Sequence, residues 1–258
     1  MHKLQVRQYL DRIEFYEEPE VNLDTLKKLH KFHLSKVPFE NLDIHSGKII
    51  ILDSERIFRK IVHNLRGGFC FELNALFYDL LKSIGFDVTL ISANAANKNG
   101  TFGEEFDHMA IIINIDNSLW LADVGFGDFP IYPLELKLNV GQLDVNRIVK
   151  IVKHDEQYLK VVKSVQGNRF VPLYLFTLLP RQIKDFKQMC LFHQYSPDSP
   201  FTKNRICSIE TENGRVTMTD THLTITAEGK KRKYDIKNEQ EFKHYLKEFF
   251  NIVLDNGE

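Results

Sequence analysis

One stretch constrains this chain more than any other, the sequence Arg-Gly-Gly-Phe-Cys-Phe-Glu-Leu-Asn at residues 66–74. Apolar residues recur after Cys70 at the spacing of an amphipathic helix, and Gly85 follows where a left-handed cap is common. These residues are Leu73, Leu76, Phe77, Leu80, Leu81 and Ile84. Cys70 is thus predicted at a helix N-terminus, where the helix dipole and unpaired N–H groups favour a nucleophilic thiolate. Taken alone, the segment is equally consistent with a small, buried and inert cysteine.

The composition is that of an ordinary globular protein. The chain has 258 residues, of which 43% are hydrophobic and 27% are charged, and its net charge is −1. Since both charge signs are interspersed, nothing indicates binding to nucleic acid or to an anionic membrane. The N-terminus has no apolar signal-peptide core, and no stretch reaches the length of a membrane span. We therefore expect a cytoplasmic protein with no nucleic-acid partner and no membrane partner.

The cysteines and histidines do not predict a metal centre or a disulfide framework. Three cysteines are scattered along the chain without a CxxC pair, and Cys190 and Cys207 are interpreted as structural. His30 and His33 are three residues apart on a predicted helix, a spacing compatible with metal binding. Because no third ligand is evident, packing or surface exposure is the favoured interpretation, and we expect no metal.

The first 85 residues predict a small helical bundle. Asn22 can cap a helix that ends before Val37-Pro38, and a second helix is expected from residue 53 or 54. Together with the Cys70 helix, these make three helices joined by short connections. The second helix is predicted to bury Ile57, Phe58, Ile61, Val62 and Leu65.

After Gly85 the apolar pattern changes to the alternation and short runs typical of strands. Asp116-Asn117-Ser118 is typical of a turn between two of them, and Gly167-Asn168 of another. Residues 94–105 are polar and predict a loop. The predicted strands are 88–93, 109–115, 119–124, 147–152, 158–165 and 169–177. They indicate an antiparallel sheet or barrel.

The last third mixes helix and strand. Residues 181–195 predict a short helix, and Asn213-Gly214 predicts a hairpin between strands 206–210 and 216–219. Further strands are expected at 222–226 and 233–236, and the basic run 230–233 is interpreted as a solvated turn. Asn238 caps a final helix with the apolar stripe Phe242, Tyr245, Leu246, Phe249, Phe250 and Val253. We predict an α+β protein of three parts: helical residues 1–85, barrel residues 86–195 and a mixed part at 196–258.

His108 and Asp123 are the best candidates to act with Cys70. His108 stands at the start of one predicted strand and Asp123 near the end of the next, so in an antiparallel hairpin they lie side by side. An aspartate in an apolar strand is unfavourable without a partner. Asp123 would orient the imidazole, His108 would hold Cys70 as a thiolate, and Cys70 would attack a carbonyl. A surface histidine and a turn-capping aspartate are the simpler interpretations of each alone, but the three together favour a triad.

Two charged residues flank the cysteine. Arg66 and Glu72 are interpreted as a buried or half-buried ion pair that supports the turn, rather than as substrate contacts.

At this point the sequence resembles a known family. The segment around Cys70 resembles the signature of the arylamine N-acetyltransferases, which have a Cys–His–Asp triad in this chain order. The segments Phe-Asp-His108-Met and Ala-Asp123-Val-Gly-Phe-Gly are similar to its second and third motifs. Val37-Pro38-Phe39-Glu40-Asn41-Leu42 is similar to another, and Ser199-Pro200-Phe201-Thr202 is a weaker local match.

The resemblance implies a fold and a reaction. The fold would be a helical bundle, a β-barrel and an α/β lid around a cysteine-protease-like catalytic core. Acetyl-CoA would acetylate Cys70, and the acetyl group would pass to the nitrogen, or N-hydroxy oxygen, of an arylamine or arylhydrazine in a ping-pong reaction.

The resemblance also implies binding residues. Phe39, Phe126 and Phe201 would line an aromatic pocket, with core packing as the alternative for each. Thr101 and Gly103 would donate backbone N–H groups to a CoA phosphate, although three acidic residues nearby would repel it.

Other functions stay open from the sequence. The same triad would serve a hydrolase or a transglutaminase-like enzyme, although a papain-type cysteine signature is absent. It would also serve an amide synthase that closes a macrolactam in a biosynthetic pathway. A binding protein that has lost its activity is disfavoured by the intact triad.

Overall fold

The computed structural model describes residues 1–97, 99–145, 147–165 and 169–254. Its helices are α1 Lys3–Arg12, α2 Leu23–Lys36, α3 Leu42–His45, α4 Ser54–Phe58, α5 Cys70–Ile84, α6 Lys187–Tyr195 and α7 Glu239–Phe250. Its strands are β1 Phe39–Glu40, β2 Asp87–Ala95, β3 His108–Ile115, β4 Ser118–Ala122, β5 Leu134–Glu135, β6 Gln142–Asp144, β7 Arg147–Lys153, β8 Leu159–Ser164, β9 Phe170–Phe176, β10 Ile206–Thr211, β11 Gly214–Thr219, β12 His222–Ala227 and β13 Lys230–Asp235.

Helix α5 is the central element of the N-terminal part. It begins at Cys70 as predicted, ends at a left-handed Gly85 with φ 115°, and packs on β2 and β3 as well as on α1 and α4. Most of its side chains are buried, because it is covered by helices on one side and by the sheet on the other.

The second predicted helix is correct in position and wrong at its end. Asp53 caps α4 by accepting the Arg56 N–H, and a π-helical turn continues it only to residue 63. Leu65 therefore lies beyond the helix, has φ 53° and is 45% exposed, so its predicted place on the buried face is wrong.

Strands β2–β9 form an eight-stranded antiparallel sheet in the order β5-β4-β3-β2-β9-β8-β7-β6. The predicted turn between β3 and β4 is confirmed, since Asp116 and Asn117 both have positive φ and Ile115 pairs with Ser118. The sheet is barrel-like and nearly closed. Its two edge strands, β5 and β6, are joined by a side chain. Gln142 accepts the Glu135 N–H and donates to the Glu135 carbonyl, both at 2.8 Å. The predicted turn at Gly167-Asn168 lies outside the described residues.

A second sheet has the order β1-β10-β11-β12-β13 and packs on α7, which Asn238 caps as predicted. The hairpin predicted at Asn213-Gly214 is confirmed, with its turn one residue earlier at 212–213, because Gly214 pairs with Thr211. The basic run 230–233 is strand rather than turn, because the turn falls at residues 228–229. Its exposed charges protect a sheet edge from pairing with other chains.

The remaining expectations about organisation have mixed outcomes. Val253 follows the end of α7 and is 65% exposed, so it does not extend the apolar stripe. The division at residues 85 and 195 stays a prediction, and β1 from the first part pairs with β10 of the third. Within the described ranges, no helix is both long and apolar enough to cross a membrane.

Candidate active site

Cys70 lies at the bottom of a cleft of about 720 Å³. It is the first residue of α5 and is 3% exposed. A Cβ added at Gly125 would stand 2.7 Å from Cys70 Cα and 2.9 Å from the Cys70 carbonyl oxygen. The chain after β4 therefore touches the start of α5, and this approach requires glycine because any side chain would collide.

His108 and Asp123 are joined by a short hydrogen bond. The distance from His108 Nε2 to Asp123 Oδ2 is 2.7 Å, and both side chains are buried. Because an ionised carboxylate only accepts, Nε2 carries a hydrogen, and Nδ1 is the nitrogen that can take a proton from Cys70.

The sequence prediction that these two residues are neighbours is confirmed, with a different register. Ile111 pairs with Ala122, so the position opposite Asp123 is residue 110 rather than residue 108. The contact is diagonal across the hairpin, on the same face, as a two-residue offset allows.

Asp123 is held from several sides. The Asn74 side-chain amide and the Gly125 N–H both donate to Asp123 Oδ1 at 2.9 Å. The Asp123 N–H donates to His30 Nε2 at 3.2 Å. Burial works against the charged carboxylate, but the charge and hydrogen bond of His108, with the Asn74 and Gly125 bonds, hold the pKa of Asp123 below its usual value.

The surroundings of Cys70 oppose an isolated thiolate. Burial raises the pKa of the Cys70 thiol, and the carboxylates of Asp107 and Asp123 act in the same direction, while the Phe71 N–H lowers it. The N–H group at the helix start thus favours the thiolate as expected, but its effect on the pKa is smaller than that of burial. His108, the base expected from the sequence, lines the same cleft as Cys70.

The three phenylalanines predicted for the pocket, Phe39, Phe126 and Phe201, all line this cleft. Each is half-buried, with one part packed against the hydrophobic core and another facing the cleft. The ring centroids of Phe39 and Phe201 are 5.9 Å apart, and that of Phe126 lies 5.2 Å from the His108 ring. The cleft thus brings aromatic surfaces beside Cys70 and His108.

Comparison with known proteins identifies the family. Residues 22–258 match the sequence profile of a family described as N-acetyltransferase. The chain is 32% identical to the pineal gland isozyme NAT-3 of arylamine N-acetyltransferase from Gallus gallus, over 98% of this chain and 95% of that protein. The chain belongs to the arylamine N-acetyltransferase family. It is also 31% identical to arylamine N-acetyltransferase 1 of Homo sapiens, over 97% of this chain and 95% of that one.

Solved arylamine N-acetyltransferases share its fold. The enzyme from Salmonella typhimurium superposes with a TM-score of 0.93 at 23% identity, over 100% of this chain and 94% of that one. An enzyme from Bacillus cereus, described as having a unique Cys-His-Glu catalytic triad, superposes with a TM-score of 0.87 at 27% identity, over 98% and 100%. In this chain the residue bonded to the histidine is Asp123. The α+β fold class is confirmed, and the protein is an acyltransferase of the arylamine N-acetyltransferase family.

The family resemblance implies that the N–H groups of Thr101 and Gly103 contact CoA, but both groups already donate hydrogen bonds within the protein. The Thr101 N–H donates to Asn99 Oδ1 at 3.1 Å, and the Gly103 N–H donates to the Ala95 carbonyl at 2.8 Å. Both N–H groups already have partners, one in the same loop and one at the end of β2, so the structure does not offer them to a phosphate. Gly103 lines the cleft, but its predicted role as an N–H donor to CoA is not supported.

His30 and His33 are packing residues in this N-acetyltransferase, as favoured from the sequence, and both are fully buried rather than exposed. His30 Nδ1 lies 2.9 Å from the Ile131 carbonyl, and His33 Nδ1 lies 2.6 Å from the Tyr9 hydroxyl. Burial lowers the pKa of His30 to about 4, so its Nε2 accepts the Asp123 N–H as a neutral ring. Among the residues that the structure describes, no group of three or more His, Cys, Asp or Glu residues could hold a metal ion.

The charged residues near Cys70 form a buried network with partners other than those predicted. Arg66 pairs with Glu40 and Asp43, at 2.7 and 2.9 Å, while Glu72 pairs with Lys60 at 3.0 Å. Glu72 also accepts the N–H of Phe69, one residue before Cys70, at 3.2 Å. The predicted direct Arg66–Glu72 pair is therefore wrong.

The other two cysteines, Cys190 and Cys207, are free and buried, in agreement with a structural role. Sequence reasoning missed Asn74, although it lies four residues after Cys70 on the same helix face, where a polar side chain among apolar ones was a usable signal.

Proposed function

We propose that this arylamine N-acetyltransferase transfers an acetyl group from acetyl-CoA to an aromatic amine or hydrazine by a ping-pong reaction on Cys70, with His108 and Asp123 completing the triad. The observation that carries the proposal is the 2.7 Å His108–Asp123 bond in a cleft that also presents Cys70. A nucleophile, a base and an orienting carboxylate are the elements of covalent acyl transfer.

In the first half-reaction, His108 Nδ1 takes the thiol proton and the Cys70 sulfur attacks the thioester carbonyl. The carbon–sulfur bond to CoA breaks, and the departing CoA thiolate takes the proton from the imidazolium. Asp123 holds the ring and stabilises its positive charge during this step. The Phe71 N–H, which interacts with the Cys70 sulfur, belongs to the helix start that would also stabilise the oxyanion.

In the second half-reaction, the acceptor nitrogen attacks the acetyl-Cys70 carbonyl and gives its proton to His108. The sulfur–carbon bond breaks and Cys70 leaves as a thiolate beside the imidazolium. Phe39, Phe126 and Phe201 provide apolar surfaces for the aromatic ring of the acceptor. A reactive thiol must stay reduced, so we place the enzyme in the cytoplasm.

Intact-protein mass spectrometry after brief exposure to acetyl-CoA without acceptor tests the proposal. We expect one acetyl adduct on the wild type, none on Cys70→Ala, and the wild-type result for Cys190→Ala. Addition of an arylhydrazine should discharge the adduct with formation of the acetylated hydrazine. An adduct that disappears equally fast without an acceptor would indicate a hydrolase, and absence of an adduct at Cys70 would overturn the donor assignment.

A further inference from the structure

A second carboxylate–imidazole pair lies in the wall of the same cleft. Asp107 directly precedes His108, and its Oδ1 is 3.2 Å from Nε2 of His193 on α6. Its other oxygen, Oδ2, accepts the Ala95 N–H at 3.2 Å. Both Asp107 and His193 line the cleft with Cys70, yet neither takes part in the reaction described above.

The loop before β3 is shaped around the Asp107 carboxylate. A Cβ at Gly103 would collide with that carboxylate, so only glycine leaves room for it. Phe106 has φ 66°, a left-handed conformation that a bulky residue adopts only where the surrounding structure imposes it. Both features help to place the Asp107 carboxylate where it contacts His193 Nε2.

His193 in turn connects two functional regions of the cleft. Its side chain is buried, with ring centroids 5.8 Å from Phe71, the residue after the nucleophile, and 5.0 Å from Phe201. Its Nδ1 lies 3.1 Å from Ser199 Oγ, and that oxygen accepts the Phe201 N–H at 3.2 Å. A continuous chain of contacts therefore runs from Asp107 through His193 and Ser199 to Phe201.

This chain of contacts is not a second catalytic triad. Ser199 is fully buried and its oxygen is already bonded to the short turn that carries Phe201, so it is not presented to a substrate. The contacts instead fix the position of Phe201 relative to β3, the strand that carries His108.

We propose that the Asp107–His193 pair positions Phe201 and thereby determines binding of the aromatic acceptor, an inference that rests on the proposed function. Cys70 and Asp123 are held by Asn74 and Gly125, on α5 and after β4, which do not depend on α6. Loss of the pair should therefore weaken the acceptor step more than the acetylation of Cys70.

The test compares Asp107→Asn, His193→Phe and the double variant. Asp107→Asn keeps the side-chain shape, and His193→Phe keeps a ring between Phe71 and Phe201 without hydrogen bonds. The control variants Asp235→Asn and His222→Phe remove an exposed Asp–His pair of similar length, 3.3 Å, in the β12–β13 hairpin. Two rates are measured for each, the acetylation of Cys70 by acetyl-CoA alone and the discharge of acetyl-Cys70 at increasing arylhydrazine concentration.

In each single variant we expect the half-saturating acceptor concentration to rise about tenfold, with a smaller effect on Cys70 acetylation. In Asp107→Asn the acetylation rate should not fall, because loss of the Asp107 charge removes one of the causes that raise the pKa of Cys70. The double variant should be no worse than His193→Phe alone, because that change already removes the partner of the Asp107 side chain. Equal losses in both steps, additive losses, or unchanged acceptor dependence would each overturn the proposal. Failure of the wild type to form the acetyl adduct would instead overturn the proposed function. Asp107→Asn keeps the test decisive if His193→Phe does not fold.

Discussion

The side-chain amide of Asn74 lies 2.9 Å from Oδ1 of Asp123, the oxygen that His108 does not use. The same amide group donates to the Met109 carbonyl at 2.6 Å, and its oxygen accepts the Val124 N–H at 2.9 Å. One residue of α5 is thus bonded to β3 next to His108 and to the chain after β4 at Asp123 and Val124.

Asn74→Ala should slow the acetylation of Cys70 by about 10- to 100-fold, because misplacing reacting groups by about 1 Å has effects of that size. It should also lower the free energy of unfolding by about 1–3 kcal/mol, since the Met109 and Val124 groups lose their buried partner. Single-turnover acetylation and urea unfolding measure the two effects. Asn114→Ala, which removes an exposed contact to Asp87, is the matched control. Wild-type acetylation in Asn74→Ala would contradict this role.

Gly125→Ala should disrupt the site, whereas Gly127→Ala should not. The new Cβ at position 125 would stand 2.7 Å from both Cys70 Cα and Asn74 Nδ2, and α5 would have to move away. At position 127 the nearest atom is Arg215 Nη1, at 3.8 Å. We expect a loss of about 100-fold or more in acetylation for Gly125→Ala, and near-normal rates for Gly127→Ala. Similar rates in the two variants would mean that helix and strand need not touch for catalysis.

His108→Gln should move the alkylation of Cys70 to higher pH. Burial and the charges of Asp107 and Asp123 raise the pKa of this thiol, so without an imidazolium the neutral form persists above the usual range near 8.5. If His108 activates Cys70 as proposed, alkylation of the wild type by iodoacetamide should continue below pH 8. Rate–pH profiles of the two proteins measure the difference. Superimposable profiles would show that His108 does not activate Cys70.

Glu72 should make the protein less stable as the pH rises. Burial raises its pKa to about 7, above the usual value of 4.5, so the folded state holds the proton more tightly than the unfolded chain. The resulting stability is full below about pH 4.5 and is lost as the pH rises through 7, by about 3 kcal/mol in total. Urea unfolding at pH 5 and pH 8 measures this loss. The free energy of unfolding should fall more between the two pH values in the wild type than in Glu72→Gln. Glu248→Gln, an exposed change on α7, is the control. Parallel curves for wild type and Glu72→Gln would contradict the assignment.

Much of the fold was predictable where the signal is local. Helix α5 and the β3–β4 hairpin follow from apolar spacing and from two turn residues, and the same local signals place Cys70, His108 and Asp123. Helix α1 was not predicted, because it buries only three residues, Gln5, Tyr9 and Leu10. The strand predicted at 233–236 begins three residues earlier, at Lys230, because the basic residues there reflect an exposed sheet edge rather than a turn.

The parts of the site that were missed depend on tertiary contacts. Asp107 and His193 are 86 residues apart, and no periodicity links a loop residue to a buried position on α6. The Lys60–Glu72 and Arg66–Glu40 pairs were missed for the same reason, since partner choice among several nearby charges is decided only when the helices pack. The raised pKa of Cys70 likewise comes from burial that the sequence does not display.

The contact between Gly125 and Cys70 also allows the reactivity of the cysteine to report when the fold assembles. The nucleophile and its base belong to separate elements that meet only when α5 docks on the hairpin, so a refolding chain regains acetyl transfer at Cys70 only after that moment, although its unfolded thiol is already exposed. The onset of Cys70 acetylation by acetyl-CoA during refolding would time the docking event directly, without any label added to the protein.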